Sequence, residues 1–422
     1  MPIRSIFRMK PVSSKDTNYP FLPSRLLLYP GTLNLATMSE NKLHIILALC
    51  LLCSSCVEPY EPVLEESQDV LVISGMITDS PGRHEVKVSL SSPYSFPAFQ
   101  GVEHCLVNVS DQDGNMIHYS DEGNGVYSAN VPDSFLEVGD AVSLYVLTPD
   151  RGEYRSSYDT ILPCAEIDSL YWEFQYMETP DPDKSRPGIQ FYLDMSGSTS
   201  DSRNMIWRVN ETWEYWASLF GNKVMLDFHH TVDYISSDIY KCWKSFPLDH
   251  IYTGSTRNLS SNELRGVALN SVSNETDRLR VTYSLYVQQQ SLSLGAYDYW
   301  LRMNDQAAES GGLYGKQPAS VPGNLFAVDE SEGEVLGFFY ACQVKEKRIY
   351  VHNNNYFDFY IPHIDCEYES LGNIWGQETI DYPVYIYVPG PFKPSFTGPA
   401  ECFDCRLQGG DTIRPIPWET WP

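Results

Sequence analysis

Two clusters toward the C-terminus have residue types and a spacing that could do chemistry: His363-Ile-Asp-Cys366 and Cys402-Phe-Asp-Cys405. Two pairs of soft ligands, each three residues apart, can close a tetrahedron around zinc. In an oxidising compartment the same thiols form disulfides instead. A redox-active Cys-x-x-Cys needs a strand-to-helix setting that lowers its thiol pKa, and none follows Cys405. Disulfides are therefore the expected state, with Cys164, Cys242, Cys366, Cys402 and Cys405 as candidates, and zinc on His363, Cys366, Cys402 and Cys405 as the alternative. Spacing does not reveal the connectivity.

Other chemistry is thinner. Asp111, Asp113 and Asn115 mimic the start of a calcium loop, but no bidentate Glu follows at the right place and Gly114 comes too early. Turn chemistry explains all three. His229 and His230 point to opposite faces of an extended chain and do not converge on one metal. Glu65-Glu66, or Asp181 and Asp183, are pairs of carboxyls, yet glycoside hydrolysis needs carboxyls at a set distance across a cleft. There is no GxSxG elbow, HExxH, phosphate loop or dinucleotide fingerprint. A non-enzymatic protein without a cofactor is expected, and the sequence names no substrate.

Where the chain goes is set by Leu43 to Cys56, LHIILALCLLCSSC. Lys42 precedes an apolar run too short to span a bilayer, and small residues lead to a cysteine, as in an export signal. Leu52 to Cys56 resembles a relaxed lipobox, with Cys53 standing where an aliphatic residue is usual. Cleavage before Cys56 and lipidation of its thiol are expected, with a plain secretory peptide as the alternative. An n-region should be short and basic and should abut the apolar run, so Met38 is the better start and residues 1–37 read as a start-site overcall without a fold. The signal peptide is then 38–55, and the acidic, proline-bearing stretch 56–69, with Glu58 and Glu61, is a solvated tether.

The full chain carries a net charge of -26. Removing residues 1–55 leaves 23 basic against 53 acidic residues, a net of -30. Such a balance repels phosphate backbones and anionic lipid surfaces, which argues against nucleic acid and leaves the lipid as the membrane attachment. Cys56, Cys105, Cys164, Cys242, Cys342, Cys366, Cys402 and Cys405 remain. With Cys56 lipidated, seven thiols predict two or three disulfides and at least one free cysteine.

The elements that must position these residues are mostly strands, as the wealth of Tyr, Trp, Val, Ile, Pro and Gly indicates. From Val70, VLVISGMITD, HEVKVSLSS, CLVNVSDQDGNMIHYSD, GVYSANV and AVSLYVLTPD alternate in short runs punctuated by turns. They predict an immunoglobulin-like β-sandwich over 70–161. A larger β-rich domain follows over 162–422. In MIWRVNETWEYWASL, Trp207, Val209, Glu211, Trp213 and Tyr215 fall on one side of a strand. Trp213, Tyr215 and Trp216 could stack on a sugar or grip a partner if exposed, though core packing is the usual fate of such residues. The main helix runs over about 293–308, capped by Ser293, with Ala296, Tyr299, Trp300 and Met303 on one stripe and Gly311-Gly312 as its stop. Beyond it VLGFFYACQV and RIYVH read as two strands joined by the charged turn Lys345-Glu346-Lys347.

CWKS (242–245), YSLYVQQQSLSLGAYDYW (283–300), GGLYGKQPASVPGNL (311–325), VLGFFYACQVKEKRIYV (335–351) and ECFDCRLQGG (401–410) resemble, in order, the signatures of the domain-of-unknown-function 4249 family. The resemblance implies a Bacteroidota lipoprotein of the outer membrane, exposed at the cell surface and partnered by a TonB-dependent receptor. It brings no catalytic residues. Three classes follow: a binding accessory to that transporter, a structural or adhesive surface lipoprotein, and a hydrolase with an unrecognised site.

Overall fold

The computed structural model describes residues 70–418 apart from 93–97, 134, 151, 182, 228, 230, 236–238, 311–319, 330–332, 354–356, 358, 363–364, 375–381 and 390–392. Residues 1–37, the signal 38–55, Cys56, the tether, Glu65-Glu66, Gly311-Gly312, His230 and His363 thus lie outside the described residues.

The fold is mainly β. The first strands are β1 (Leu71–Thr78), β2 (Gly82–Leu90), β3 (Gln100–Gly101), β4 (Leu106–Asp111), β5 (Met116–Asp121), β6 (Val126–Val131), β7 (Ala141–Leu147), β8 (Glu153–Ser156) and β9 (Asp159–Thr160). Then come β10 (Glu166–Glu178), β11 (Ser185–Gly197), β12 (Asn204–Trp216), β13 (Lys223–Met225), β14 (Val232–Tyr234), β15 (Lys241–Pro247), β16 (Tyr252–Ser255), β17 (Asn262–Ser273) and β18 (Thr282–Ser291). After the helix Leu294–Ser310 follow β19 (Leu325–Ala327), β20 (Val335–Leu336), β21 (Phe339–Cys342), β22 (Val344–His352), β23 (Glu369–Ser370), β24 (Val384–Tyr387) and β25 (Phe396–Thr397).

β1 to β9 form one long strip in which β5 pairs with β4 through its first four residues and with β6 through its last two. Both halves of the strip therefore face one core, built on Ile73, Val86, Val107, Tyr127, Leu144 and Ile161. Strands from far down the chain complete it: β20 and β21 add to β1 in parallel, and β19 adds to β8. Parallel pairing demands a long crossover, supplied here by everything between β1 and β20. β21 is buried on both faces, which is why it reads as an unbroken apolar run. Phe339 and Ala341 enter the first core, whereas Phe338 just before it, Tyr340 and Cys342 turn to the helix. Gly337 makes the turn into β21 with φ +105, and a Cβ there would lie 1.9 Å from the Ile73 carbonyl oxygen, so only glycine fits.

A second sandwich packs β10-β11-β17 against β15-β12-β18-β22. β12 is its centre, paired with β18 on one edge and with β16 and then β15 on the other. Its alternation is as expected: Trp207, Val209, Glu211, Trp213 and Tyr215 are all buried on the core side. Ile206 faces the opposite way, toward the helix. The helix starts at Leu294 with Ser293 Oγ accepting from the Ala296 N–H at 3.2 Å. Lys345, Glu346 and Lys347 are not a turn: they lie within β22, opposite Gln289, Gln288 and Val287 of β18. Their charges are met across strands, since Lys345 pairs with Glu166 at 2.6 Å and Lys347 Nζ donates to the Asp168 carbonyl oxygen at 2.7 Å. The break falls two residues earlier, at Gln343. A small sheet, β14-β13-β24-β25-β23, occupies the C-terminal region.

Candidate functional site

The cysteine clusters resolve into two staples. Cys242 on β15 bonds to Cys405, and Cys366 bonds to Cys402, so the two cysteines of the Cys-x-x-Cys have different partners. This corrects the zinc alternative: Cys366, Cys402 and Cys405 have no free thiolate, and His363 lies outside the described residues. Cys164 is a second correction, since it is a buried free thiol rather than a disulfide half. It sits against Gln289, donating from Sγ to that residue's carbonyl oxygen at 3.6 Å, and burial pushes it up to about 12. Cys105 and Cys342 are likewise buried and free.

The tail after Cys405 is held against β15. Trp243 and Asp411 exchange main-chain hydrogen bonds at 2.8 and 2.9 Å, and the Tyr215 hydroxyl donates to the Cys405 carbonyl oxygen. Gly410 passes over the disulfide, where a Cβ would meet Cys242 Cβ at 2.6 Å. A depression of about 550 Å³ lies beside it. Its two cations are already committed: Arg406 to Asp404 at 2.7 Å, and Lys244 to the Tyr215 ring at 4.6 Å.

Of the remaining sequence candidates, Asp111 accepts from the Asn115 N–H at 2.8 Å and from its side-chain amide at 2.7 Å, which is turn chemistry. Asp181 caps its own loop through the Asp183 N–H at 3.2 Å and pairs with Lys184 at 2.9 Å. His229 is exposed, its N–H donating to Asp227 at 3.0 Å. Trp213 and Tyr215 are buried and Trp216 is exposed. Among the described residues no three His, Cys, Asp or Glu side chains gather as a metal site would require.

A cleft that the sequence did not signal lies where the two sandwiches and the helix meet. Strand alternation builds its walls. β1 turns Ser74 and Met76 toward it, β2 turns Glu85 and Lys87, β12 supplies Arg208, and the helix supplies Tyr299 and Trp300; Phe338 and Tyr340 close it. The volume is about 320 Å³. Aromatic edges and faces interlock, with Tyr299 and Trp300 at 5.4 Å, Tyr299 and Phe338 at 5.0 Å, and Trp300 and Tyr340 at 6.2 Å between centroids. The Arg208 guanidinium lies over the Trp300 ring at 4.3 Å, a cation–π stack. The Tyr340 hydroxyl donates to Gln290 Oε1 at 3.0 Å, and burial pushes its pKa up to about 12, so it stays a neutral donor.

The stripe of Ala296, Tyr299 and Trp300 thus divides its work. Ala296 fills the core under the helix, while the half-buried Tyr299 and Trp300 form the cleft wall. A second lobe of about 340 Å³ shares Met76 and Glu85 with the first and is more polar, lined by Ser80, His84, Gln288, Gln290 and Glu346. His84 accepts from the Thr78 N–H through Nδ1 at 3.4 Å, which places its proton on Nε2, facing the Ser80 carbonyl oxygen at 2.9 Å. Burial lowers its pKa and keeps the ring neutral.

The family model described as "Domain of unknown function (DUF4249)" matches residues 57–348, which takes in β1 to β21 and the whole cleft and stops short of ECFDCRLQGG. No curated protein matches the chain. Among solved structures, trypsin-activated alpha-2-macroglobulin from Escherichia coli is similar over 54% of this chain at 8% identity, with a TM-score of 0.16. The chain spans 15% of that protein's length.

Proposed function

The chain belongs to the DUF4249 family, and from that premise we propose that it is a non-enzymatic, lipid-anchored binding protein of the outer membrane that serves a TonB-dependent transporter at the cell surface. The cleft is the observation that carries the binding role. A concave site of this size, walled by aromatic side chains with a few placed polar groups, is the ordinary form of a small-molecule site. The export segment with Cys56 and the acidic stretch after it support the anchored location. The transporter rests on the family resemblance. Two experiments test the reading. The lipidated protein, crosslinked in native outer membrane and isolated, should bring down a β-barrel receptor, and Cys56→Ser should release the protein from the membrane fraction. Repeated isolation without a barrel partner counts against it.

One observation favours a second reading, a structural or adhesive surface lipoprotein. The β10–β11 hairpin carries exposed Phe174 and Tyr176, ring to ring at 5.2 Å, with Phe174 packed on Phe359 at 5.9 Å. Apolar rings displayed this way suit protein–protein contact. Deletion that alters attachment while leaving nutrient-limited growth intact decides for this role.

A further inference from the structure

We infer that the cleft between β1, β2, β12 and the helix binds a small organic anion with a planar apolar body, its carboxylate or sulfonate held by Arg208 and Lys87. This deepens the binding reading above and rests on it for its biological meaning, though not for its chemistry.

The first ground is charge. A molecule with a net charge of -26 has placed two cations in its aromatic cleft, and among the described residues neither Arg208 nor Lys87 has a carboxylate within ion-pair distance. Among the described residues Arg208 engages the Trp300 face and the Tyr340 hydroxyl, both neutral. The one acid lining this lobe, Glu85, is already matched by Arg83 at 3.1 Å, so it does not neutralise the pair. Arg278, which reaches into the second sandwich, is by contrast committed to Glu211 at 2.9 Å. Arg348 and Arg155 also stack on rings, over Tyr286 and Tyr145, but neither lines this cleft; at Arg208 the planar fork of donors borders a cavity and is matched by a bidentate oxyanion.

The second ground is shape. Trp300, Tyr299, Phe338 and Tyr340 give the cleft aromatic walls on several sides. Flat hydrophobic rings bury well against such walls, and the volume of about 320 Å³ limits the body to a small molecule. The neighbouring lobe, with Gln288, Gln290 and the neutral His84, can receive polar substituents of the same molecule.

The test uses the folded full chain and two probes of equal shape, 2-naphthoate and its neutral amide 2-naphthamide, followed by tryptophan fluorescence and calorimetry at about 0.15 M salt. The expected result is one saturable site at which the carboxylate binds at least tenfold more tightly than the amide. Arg208→Gln should abolish that preference, and the exposed Lys87→Gln should reduce it severalfold. Circular dichroism establishes that the variants fold, and if Arg208→Gln does not, Lys87→Gln carries the comparison. Absence of saturable naphthoate binding, or an unchanged preference in the folded variants, overturns the inference. Loss of the transporter partner in the isolation experiment leaves this result untouched, so the two readings fail separately.

Discussion

Glu211 Oε2 lies 2.9 Å from Arg278 Nη1 inside the second sandwich, and the Tyr283 hydroxyl donates to the same oxygen at 2.8 Å. Only 6% of Glu211 is exposed, while its neighbours on that face of β12 are Val209 and Trp213. A buried carboxylate is tolerated there because Arg278, at the edge of the core, and two hydrogen-bond donors, Tyr283 and Asn270, surround it.

Removing one partner should cost more than removing both. Glu211→Ala strands Arg278 and the Tyr283 hydroxyl, and urea unfolding should show a loss of about 3–5 kcal/mol. Replacing both charges, as Glu211→Leu with Arg278→Met, should recover much of it. A Glu211→Ala loss below about 1 kcal/mol would mean that water already reaches the site.

The staples make a mass-spectrometric prediction. Proteolysis without reductant should yield Cys242 joined to Cys405 and Cys366 joined to Cys402, while Cys105, Cys164 and Cys342 label with a thiol reagent only after denaturation. The bridges span 163 and 36 residues of sequence, so each restricts the unfolded chain substantially. Losing either should cost on the order of 4 kcal/mol. A peptide joining Cys402 to Cys405 would refute the pairing.

What was legible in the sequence was local. The period of two in β12 shows because one of its faces meets a core along the whole strand, and Ser293 shows because a cap is decided within three residues. The thiols were legible as disulfide formers but not as pairs, because which of them meet depends on where β15 and the C-terminal turns lie. Lys345-Glu346-Lys347 read as a turn because their partners, Glu166 and the carbonyl oxygens of β10, are remote in sequence. Arg208 illustrates the limit best. Its side chain is a routine outward position of β12 until β2, the helix and β21 are brought around it, and no short-range pattern encodes that meeting.

Asp404 should govern part of the acid limit of stability. Its residue is 2% exposed, and its carboxylate accepts from Arg406 N, Nε and Nη2 and from the Tyr385 hydroxyl. Burial pushes its pKa up, but the Arg406 bonds together hold it below the ordinary carboxylate value. A depressed folded pKa means stability that is fully present above the unfolded value of about 3.9 and is lost as pH falls through the folded one. Asp404→Asn should cost about 2 kcal/mol at pH 7 and progressively less in acid. A constant difference across that range would contradict the assignment.

Asp159 should behave in the opposite sense. It is buried at the junction of β9, β21 and the helix cap, accepting from the Ala341 N–H at 3.0 Å and hydrogen-bonding Ser293. Burial dominates and raises its pKa, outweighing those bonds. A carboxyl with a raised folded pKa binds its proton more tightly in the folded state than in the unfolded one, so ionising it is a penalty that is complete above the folded pKa and absent below the unfolded one. Asparagine keeps an acceptor for the Ala341 N–H and offers a donor to Ser293 without the charge. Asp159→Asn should therefore raise the melting temperature at pH 7, by a margin that shrinks to nothing below about pH 3.9. Thermal melts of both proteins across that range check it, and a lowered melting temperature at neutral pH would show that the ionised carboxylate is the favoured form at the junction.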